Sequence, residues 1–135
     1  MAPLRLAIVT PSRALLETDA DSVVAPGSEG EFGVLPGHAP LLAALRPGVV
    51  RYSAGSAEIR VAIGGGFAEV TQERVTVLAP AAEKPEQIDP AEAESRRAQA
   101  QAALDAVGYA APDDQLARLH QALEFAQARL DALRS

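Results

Sequence analysis

The spacing of apolar residues changes near Pro85, and this change constrains the fold more than any other feature of the sequence. Before Pro85, apolar and polar residues alternate in short segments such as Ala57–Ile63 (AEIRVAI). Alternation places every second side chain on one face of an extended strand. Proline and glycine pairs separate these segments, and nine of the ten glycines precede Pro85. Short strands without intervening helices predict an all-β antiparallel sandwich or barrel.

After Pro85 the sequence is rich in alanine and glutamine, and signals for helix ends appear. Asp89 is a typical N-cap, Pro90 suits the first helical position, and Glu92 stands three residues after the cap. This arrangement predicts a capping box between Asp89 and Glu92. We expect a first helix from Pro90 to Val107, ended by Gly108.

A second helix is predicted to begin between Pro112 and Asp114. Apolar residues then recur at alternating spacings of three and four, which is typical of a helical seam. The seam comprises Leu116, Leu119, Leu123, Ala126, Leu130 and Leu133. Because the connection is short, the two helices must form an antiparallel hairpin. Such a hairpin buries little by itself, so we expect it to need a docking surface. The sequence thus predicts a β-sandwich over residues 1–85 and a helical hairpin over residues 86–135, and the hairpin is a candidate for a movable regulatory element.

Composition excludes several classes of function. The chain of 135 residues contains no cysteine, which excludes a disulfide framework, a thiolate nucleophile and a cysteine metal site. Its net charge of −6 argues against nucleic-acid binding, which relies on Lys and Arg at phosphates. The sequence offers neither a signal peptide nor a run of about 20 apolar residues, so we expect a cytoplasmic protein that is not inserted in a membrane.

One segment, Gly27–Pro40 (GSEGEFGVLPGHAP), invites a functional interpretation. No Lys or Arg occurs from Ala14 through Leu45, so a phosphate-binding loop is disfavoured. Glu29 and Glu31 could form an acid/base pair with His38 as a base, but the segment offers no nucleophile. Carboxylates in a glycine-rich turn are usually solvated. We therefore interpret the segment as an acidic surface of fixed shape for docking a partner.

The same residues carry a family resemblance. The segment GSEGEFGVLPGHAPLL, followed by LRPGVVR, GGGFAEV and RVTVLA, resembles the epsilon subunit of the F-type ATP synthase of the bacterial type. The order of sandwich, IDPAEAESRRAQAQAAL and second helix is similar as well. The resemblance implies a non-catalytic rotor subunit of the central stalk, which couples proton-driven c-ring rotation to the γ subunit. It also implies a peripheral location on the cytoplasmic face of the bacterial inner membrane.

The resemblance further implies which residues meet each partner. The acidic turn would contact the polar loops of the c-ring, which assigns that contact to Ser28, Glu29, Glu31 and Phe32. His38 and Leu42 would face the γ subunit. The sequence carries no catalytic or metal-binding assignment.

In the resembling family the hairpin can extend towards the β subunits and restrain ATP hydrolysis, and some members bind ATP in the folded hairpin. The family's nucleotide motif carries an arginine where this chain has Glu92, and a carboxylate cannot hold phosphate. Candidate nucleotide contacts remain, namely Ile88, Asp89, Arg96, Arg97 and Arg118. We expect no cofactor. From Glu86 onward five arginines stand against nine acidic residues, so we also expect a weak or absent inhibitory grip.

Two alternatives belong to other classes of function. The chain could be a free-standing β-sandwich adaptor whose hairpin binds another helical partner. It could also be a small hydrolase that uses Glu29, Glu31 or His38.

Overall fold

A computed structural model describes residues 2–134 of the chain, apart from the side chain of Tyr109. Within that part the strands are β1 (Leu4–Thr10), β2 (Arg13–Ala20), β3 (Ser22–Gly27), β4 (Gly30–Val34), β5 (Leu41–Ala54), β6 (Ala57–Val70), β7 (Arg74–Leu78) and β8 (Ala82–Glu83). The helices are α1 (Pro90–Val107) and α2 (Asp113–Ala132), with short 3₁₀ turns at Pro85–Gln87 and Gly108–Ala110. The predicted β-sandwich followed by a helical hairpin is confirmed.

The strands β5 and β6 form a ribbon of 14 residues each that runs through both layers of the sandwich. The strand order is β2-β1-β7-β6-β5-β3-β4, and β8 also pairs with β6. β7 pairs with the end of β6, at Phe67–Val70. β3 pairs mainly with the end of β5, at Arg51–Ser53. The two halves of the ribbon therefore have different neighbours, and the sheet folds over one core.

Glycine makes the bend of this ribbon sterically possible. Gly65 and Gly66 have φ angles of +88° and +122°, which side-chain-bearing residues rarely adopt. A Cβ atom on Gly66 would lie 1.9 Å from the carbonyl oxygen of Leu78 on the next strand. The triple glycine of the sequence thus marks a close approach of two backbones.

One strand pair differs from the antiparallel prediction. β1 and β7 pair in parallel, with Leu6 opposite Val75 and Ile8 opposite Val77. Parallel neighbours cannot be joined by a tight turn. Here the intervening strands β2–β6 make the connection. The sequence did not predict this pair, because alternation within one strand carries no information about a partner so distant in the chain.

The sandwich core consists of aliphatic side chains from both layers. The largest fully buried members are Leu4, Leu6, Ile8, Ile63, Val23, Val34, Val50, Val61, Val70, Val75 and Val77. On β6, Val61 and Ile63 face this core, as the alternation predicts. Ala62 points to the opposite face and is nevertheless fully buried, which shows that something covers that face.

The hairpin provides that cover. α2 packs across β5 and β6, and a second apolar cluster joins Ala62 and Ile88 to Ala93, Ala128 and Ala132. Phe125, Leu130 and Leu133 pack at its edge. In contrast, Leu116, Leu119 and Leu123 at the start of the seam stay partly exposed. The hairpin is therefore docked on the sandwich through the C-terminal half of α2.

The close approach at Gly66 generates a stability prediction. Gly66→Ala should lower the free energy of unfolding by at least about 2 kcal/mol, because both the φ angle and the Leu78 carbonyl oppose a Cβ atom. Gly33→Ala is the matched control, since a Cβ there has open space. Urea unfolding of the two variants measures the difference. Equal midpoints for both variants would show that the bend tolerates a side chain.

Candidate partner-binding surfaces

The predicted c-ring contact residues do not share one environment. Ser28 and Glu29 are exposed at the tight turn between β3 and β4. The Ser28 amide donates to the Ala44 carbonyl at 2.8 Å, which fixes the turn against β5. Phe32 is only partly exposed and packs against the sandwich core. A partner that approaches the turn thus meets Ser28 and Glu29 first, while Phe32 supports the turn from beneath.

Glu31 forms an ion pair that sequence reasoning missed. Its Oε1 atom accepts a hydrogen bond from Arg51 Nη2 at 2.7 Å. Residues Ala14 through Leu45 contain no Lys or Arg, so the cation comes from outside that segment. Arg51 comes from β5 and reaches Glu31 from the far side of β3. A local sequence pattern cannot reveal this neighbour, because it depends on the register of three strands.

The two predicted γ contacts lie in or beside the segment that enters β5. His38 Nδ1 lies 2.6 Å from the Ala39 carbonyl oxygen, which accepts its hydrogen. The loop that carries His38 is held by a hydrogen bond from the Gly37 amide to the Gln72 carbonyl at 2.8 Å. Leu42 is 72% exposed on β5.

Leu42 belongs to a larger apolar surface. Ala44 lies two residues further along β5, opposite Phe67 on β6, and Phe67 lies opposite Leu78 on β7. Opposing residues point to the same face of a sheet. Phe67 is 55% exposed and Leu78 51% exposed. We call Leu42, Phe67 and Leu78 the apolar strip; its exposure across three neighbouring strands is typical of a contact surface.

A second candidate site is the slot between α1 and α2, to which Glu83 of β8 also contributes. It encloses about 600 Å³ and is lined by Glu83, Glu92, Arg96, Gln99, Ala100, Ala103, Leu119, Ala122, Phe125, Ala126 and Arg129. Of the predicted nucleotide contacts, only Arg96 faces this slot.

The other predicted nucleotide contacts have local structural partners. Ile88 is buried beneath the hairpin, and Asp89 caps α1 by accepting from the Ala91 amide at 3.0 Å. Arg97 pairs with Glu94 on the same helix. Arg118 is exposed and lies 3.5 Å from Asp114 on its own helix. The structure therefore does not bring this set together.

The charge at the base of the slot is Arg129, which sequence reasoning also missed. Within residues 2–134 it is the one charged side chain that is buried, at 9% exposure. Its Nη1 and Nη2 atoms donate to both carboxylate oxygens of Glu92, at 2.9 and 3.1 Å. Its Nε atom lies 2.7 Å from Glu83 Oε1, but the N–H does not point at that oxygen and makes no hydrogen bond. The Glu83 contact is therefore an ion pair only.

This geometry corrects the predicted capping box. Asp89 caps α1 as predicted, but the Glu92 carboxylate points to Arg129 instead of the helix terminus. Hydrogen bonding to Arg129 lowers the pKa of Glu92, and the charge of Arg96 adds to the effect. The same bond and the charge of Glu83 raise the pKa of Arg129 despite its burial. The signal for a buried arginine that the sequence offered was the position of Arg129 between Ala128 and Leu130, in the mostly apolar stretch FAQARL.

Residues 2–134 contain neither a metal-type cluster of side chains nor a helix that could span a membrane. No group of three or more His, Cys, Asp or Glu side chains suited to a metal occurs in residues 2–134. Neither α1 nor α2 is both long and apolar enough to cross a membrane. What the geometry offers is an apolar strip beside an acidic turn, and an ion cluster beneath the hairpin.

Comparison with known proteins assigns the family. A family model described as "ATP synthase, Delta/Epsilon chain, beta-sandwich domain" matches residues 3–85. The ATP synthase epsilon chain of Syntrophobacter fumaroxidans is 46% identical over 129 residues, which cover 94% of this chain and 92% of that relative. This chain belongs to the ATP synthase epsilon chain family. The epsilon chain of Pelotomaculum thermopropionicum is 49% identical over 100 residues, 74% of this chain and 75% of the relative.

Solved structures show the same fold. A chain of the Euglena gracilis mitochondrial ATP synthase (OSCP/F1/c-ring, rotational state 1) matches with a TM-score of 0.80 and 24% identity, covering 99% of this chain and 83% of that one. A chain of the Tetrahymena thermophila mitochondrial ATP synthase (central stalk/c-ring) matches with a TM-score of 0.62 and 12% identity, covering 98% and 97%. The likeness in fold therefore extends over the hairpin as well as the sandwich.

The Glu92 ion pair makes a prediction about pH. Because the folded-state pKa of Glu92 is lowered, its stabilising effect is present above the ordinary glutamate pKa of about 4.3 and is lost as the pH falls through the folded value. Glu92→Gln should therefore destabilise the chain at pH 7, and the gap from wild type should shrink below about pH 4. Denaturant unfolding across this pH range measures the gap. A gap that persists unchanged at pH 3 would contradict the assignment.

Proposed function

We propose that this chain is a non-catalytic rotor subunit in the central stalk of an F-type ATP synthase, where it couples rotation of the c-ring to the γ subunit. Relatives at 46% and 49% identity are named ATP synthase epsilon chain. The matched solved chains come from assemblies described as F1/c-ring and central stalk/c-ring. On this proposal the chain lies peripherally on the cytoplasmic face of the bacterial inner membrane.

The observation that carries the proposal is the exposed apolar strip. It lies on the sandwich, and the docked hairpin does not cover it. The hairpin packs near Ala62, whereas the strip begins at Leu42 and Phe67, in the other half of the β5–β6 ribbon. Burying exposed apolar surface stabilises association by roughly 25 cal/mol per Å² before the entropic cost of binding. We assign the strip, together with His38, to the γ contact.

The β3–β4 turn is the proposed contact for the polar loops of the c-ring. Because Glu31 is paired with Arg51, Glu29 is the carboxylate that the turn offers to a basic loop. A rim ion pair of this kind contributes about 0 to 1 kcal/mol. Ser28 supplies a hydroxyl, and Phe32 holds the shape of the turn from the core side. The contact then depends mainly on shape, with charge setting the orientation.

The proposal assigns no reaction to the chain itself. His38 is engaged with a neighbouring carbonyl, and the carboxylate of Glu31 is engaged with Arg51. A general base needs an acceptor atom within hydrogen-bond reach of a substrate proton, together with a group that orients it. These two side chains are better explained as structural supports of the docking surface than as members of a hydrolase site.

The hairpin contributes at most a weak restraint on ATP hydrolysis, and we propose no cofactor for it. Two arginines line the slot, where a nucleotide would need several cations, and one of them, Arg129, is already paired with Glu83 and Glu92. Contact with the β subunits is opposed by the acidic balance of residues 86–135.

The γ contact predicts a selective loss of binding. Leu42→Asp or Leu78→Asp should weaken binding to purified γ at least about tenfold, because an unpaired carboxylate would be buried at the interface. Ala57→Asp is the matched control, since Ala57 is exposed at the far tip of the β5–β6 ribbon. Titration calorimetry measures all three affinities. Equal affinity for the strip variants and the control would exclude the strip as the contact.

The weak restraint predicts a small effect of removing the hairpin. An assembled synthase that carries residues 1–85 alone should hydrolyse ATP within about threefold of the intact enzyme, a barrier change of less than about 1 kcal/mol. Steady-state ATPase assays of both assemblies measure the ratio, with quantified subunit occupancy as the control. A release of activity well beyond threefold would show that the hairpin inhibits strongly.

A further inference from the structure

Arg129 joins its own helix to two other parts of the fold through one guanidinium group. The arginine lies on α2, Glu92 lies in the first turn of α1, and Glu83 lies at the end of β8 in the sandwich. The pair with Glu92 spans 37 positions of the sequence. The guanidinium therefore stands where the two helices and the sandwich meet.

Apart from Arg129 itself, the buried residues of the two helices are all alanines. α1 buries a single residue, Ala93, and the buried apolar residues of α2 are Ala126, Ala128 and Ala132. Alanines bury little area and offer little geometric selectivity. The bidentate contact of Arg129 is in contrast directional. Loss of one partner would leave a buried charge without compensation, which is strongly unfavourable.

The local charges balance without any bound group. Arg96 lines the same slot as Glu83, Glu92 and Arg129, so two carboxylates face two guanidinium groups. The folded position of the hairpin therefore has its own internal counter-charges.

We propose that Arg129 is a latch that couples two joints, the joint between α2 and the sandwich through Glu83 and the joint between α2 and α1 through Glu92. The hairpin cannot leave the sandwich without breaking the first contact, and the helices cannot separate without breaking the second. Because one guanidinium serves both joints, loosening either one weakens the hold on the other. This inference concerns the chain alone and does not require its proposed partners.

Native-state hydrogen exchange of the full chain tests the latch. A hairpin of this kind is marginal once undocked, so its amides exchange when it opens. Arg129→Met should raise the exchange rate of α2 amides at least about fivefold, while amides of β1 and β7 keep their wild-type rates. Glu83→Gln and Glu92→Gln should each do the same. The matched control is Glu94→Gln, because Glu94 lies on α1 and forms its salt bridge with Arg97 of the same helix.

Double variants test whether the two joints are coupled through Arg129. On the Arg129→Met background, adding Glu83→Gln or Glu92→Gln should change the exchange rate of α2 amides less than about twofold, since the shared partner is already absent. If Arg129→Met does not fold, the two glutamine variants carry the test, because each keeps Arg129 and removes one partner. The proposal is overturned if α2 exchange in these variants stays within about fivefold of the Glu94→Gln control. It is also overturned if the glutamine substitutions act equally with and without Arg129.

Discussion

The pairing of β5 with β6 is the constraint on which the rest of this structure depends. The ribbon pairs from Leu41 opposite Val70 to Ala54 opposite Ala57, and it bends where Gly65 and Gly66 permit a close backbone approach. One half carries part of the apolar strip, and the other half carries the docking face for α2. A single bent ribbon thus holds the proposed partner surface and the hairpin at a fixed separation.

The sandwich and the hairpin are held by interactions of different extent. The sandwich is held by a continuous aliphatic core, whose close packing resists deformation. The hairpin is held by a smaller, alanine-rich cluster and by the ion pairs of Arg129. Elements that move are drawn from the less stable part of a fold. The proposed transmission of torque therefore belongs to the sandwich, and any regulation belongs to the hairpin.

The sequence predicts the elements better than their contacts, for physical reasons. Alternation and capping are local, so the strand at Ala57–Ile63, the Asp89 cap and the helix Pro90–Val107 follow from short windows. The parallel β1–β7 pair and the Glu31–Arg51 ion pair depend on strand order, which no short window contains. Glu92 shows the limit most clearly: its position suited a capping box, but a buried arginine 37 residues away offered the stronger hydrogen bonds.

The most direct test of the proposed role is site-specific cross-linking in the assembled synthase. The chain has no cysteine, so a single cysteine that replaces Leu42, Ser28 or Ser56 can be given a photoreactive group in the isolated chain before assembly, with no competing thiol in the chain. The account predicts a γ adduct from position 42, a c-subunit adduct from position 28, and neither from Ser56 at the distant turn between β5 and β6. Adducts of γ or the c-subunit from position 56, with none from positions 42 and 28, would contradict it.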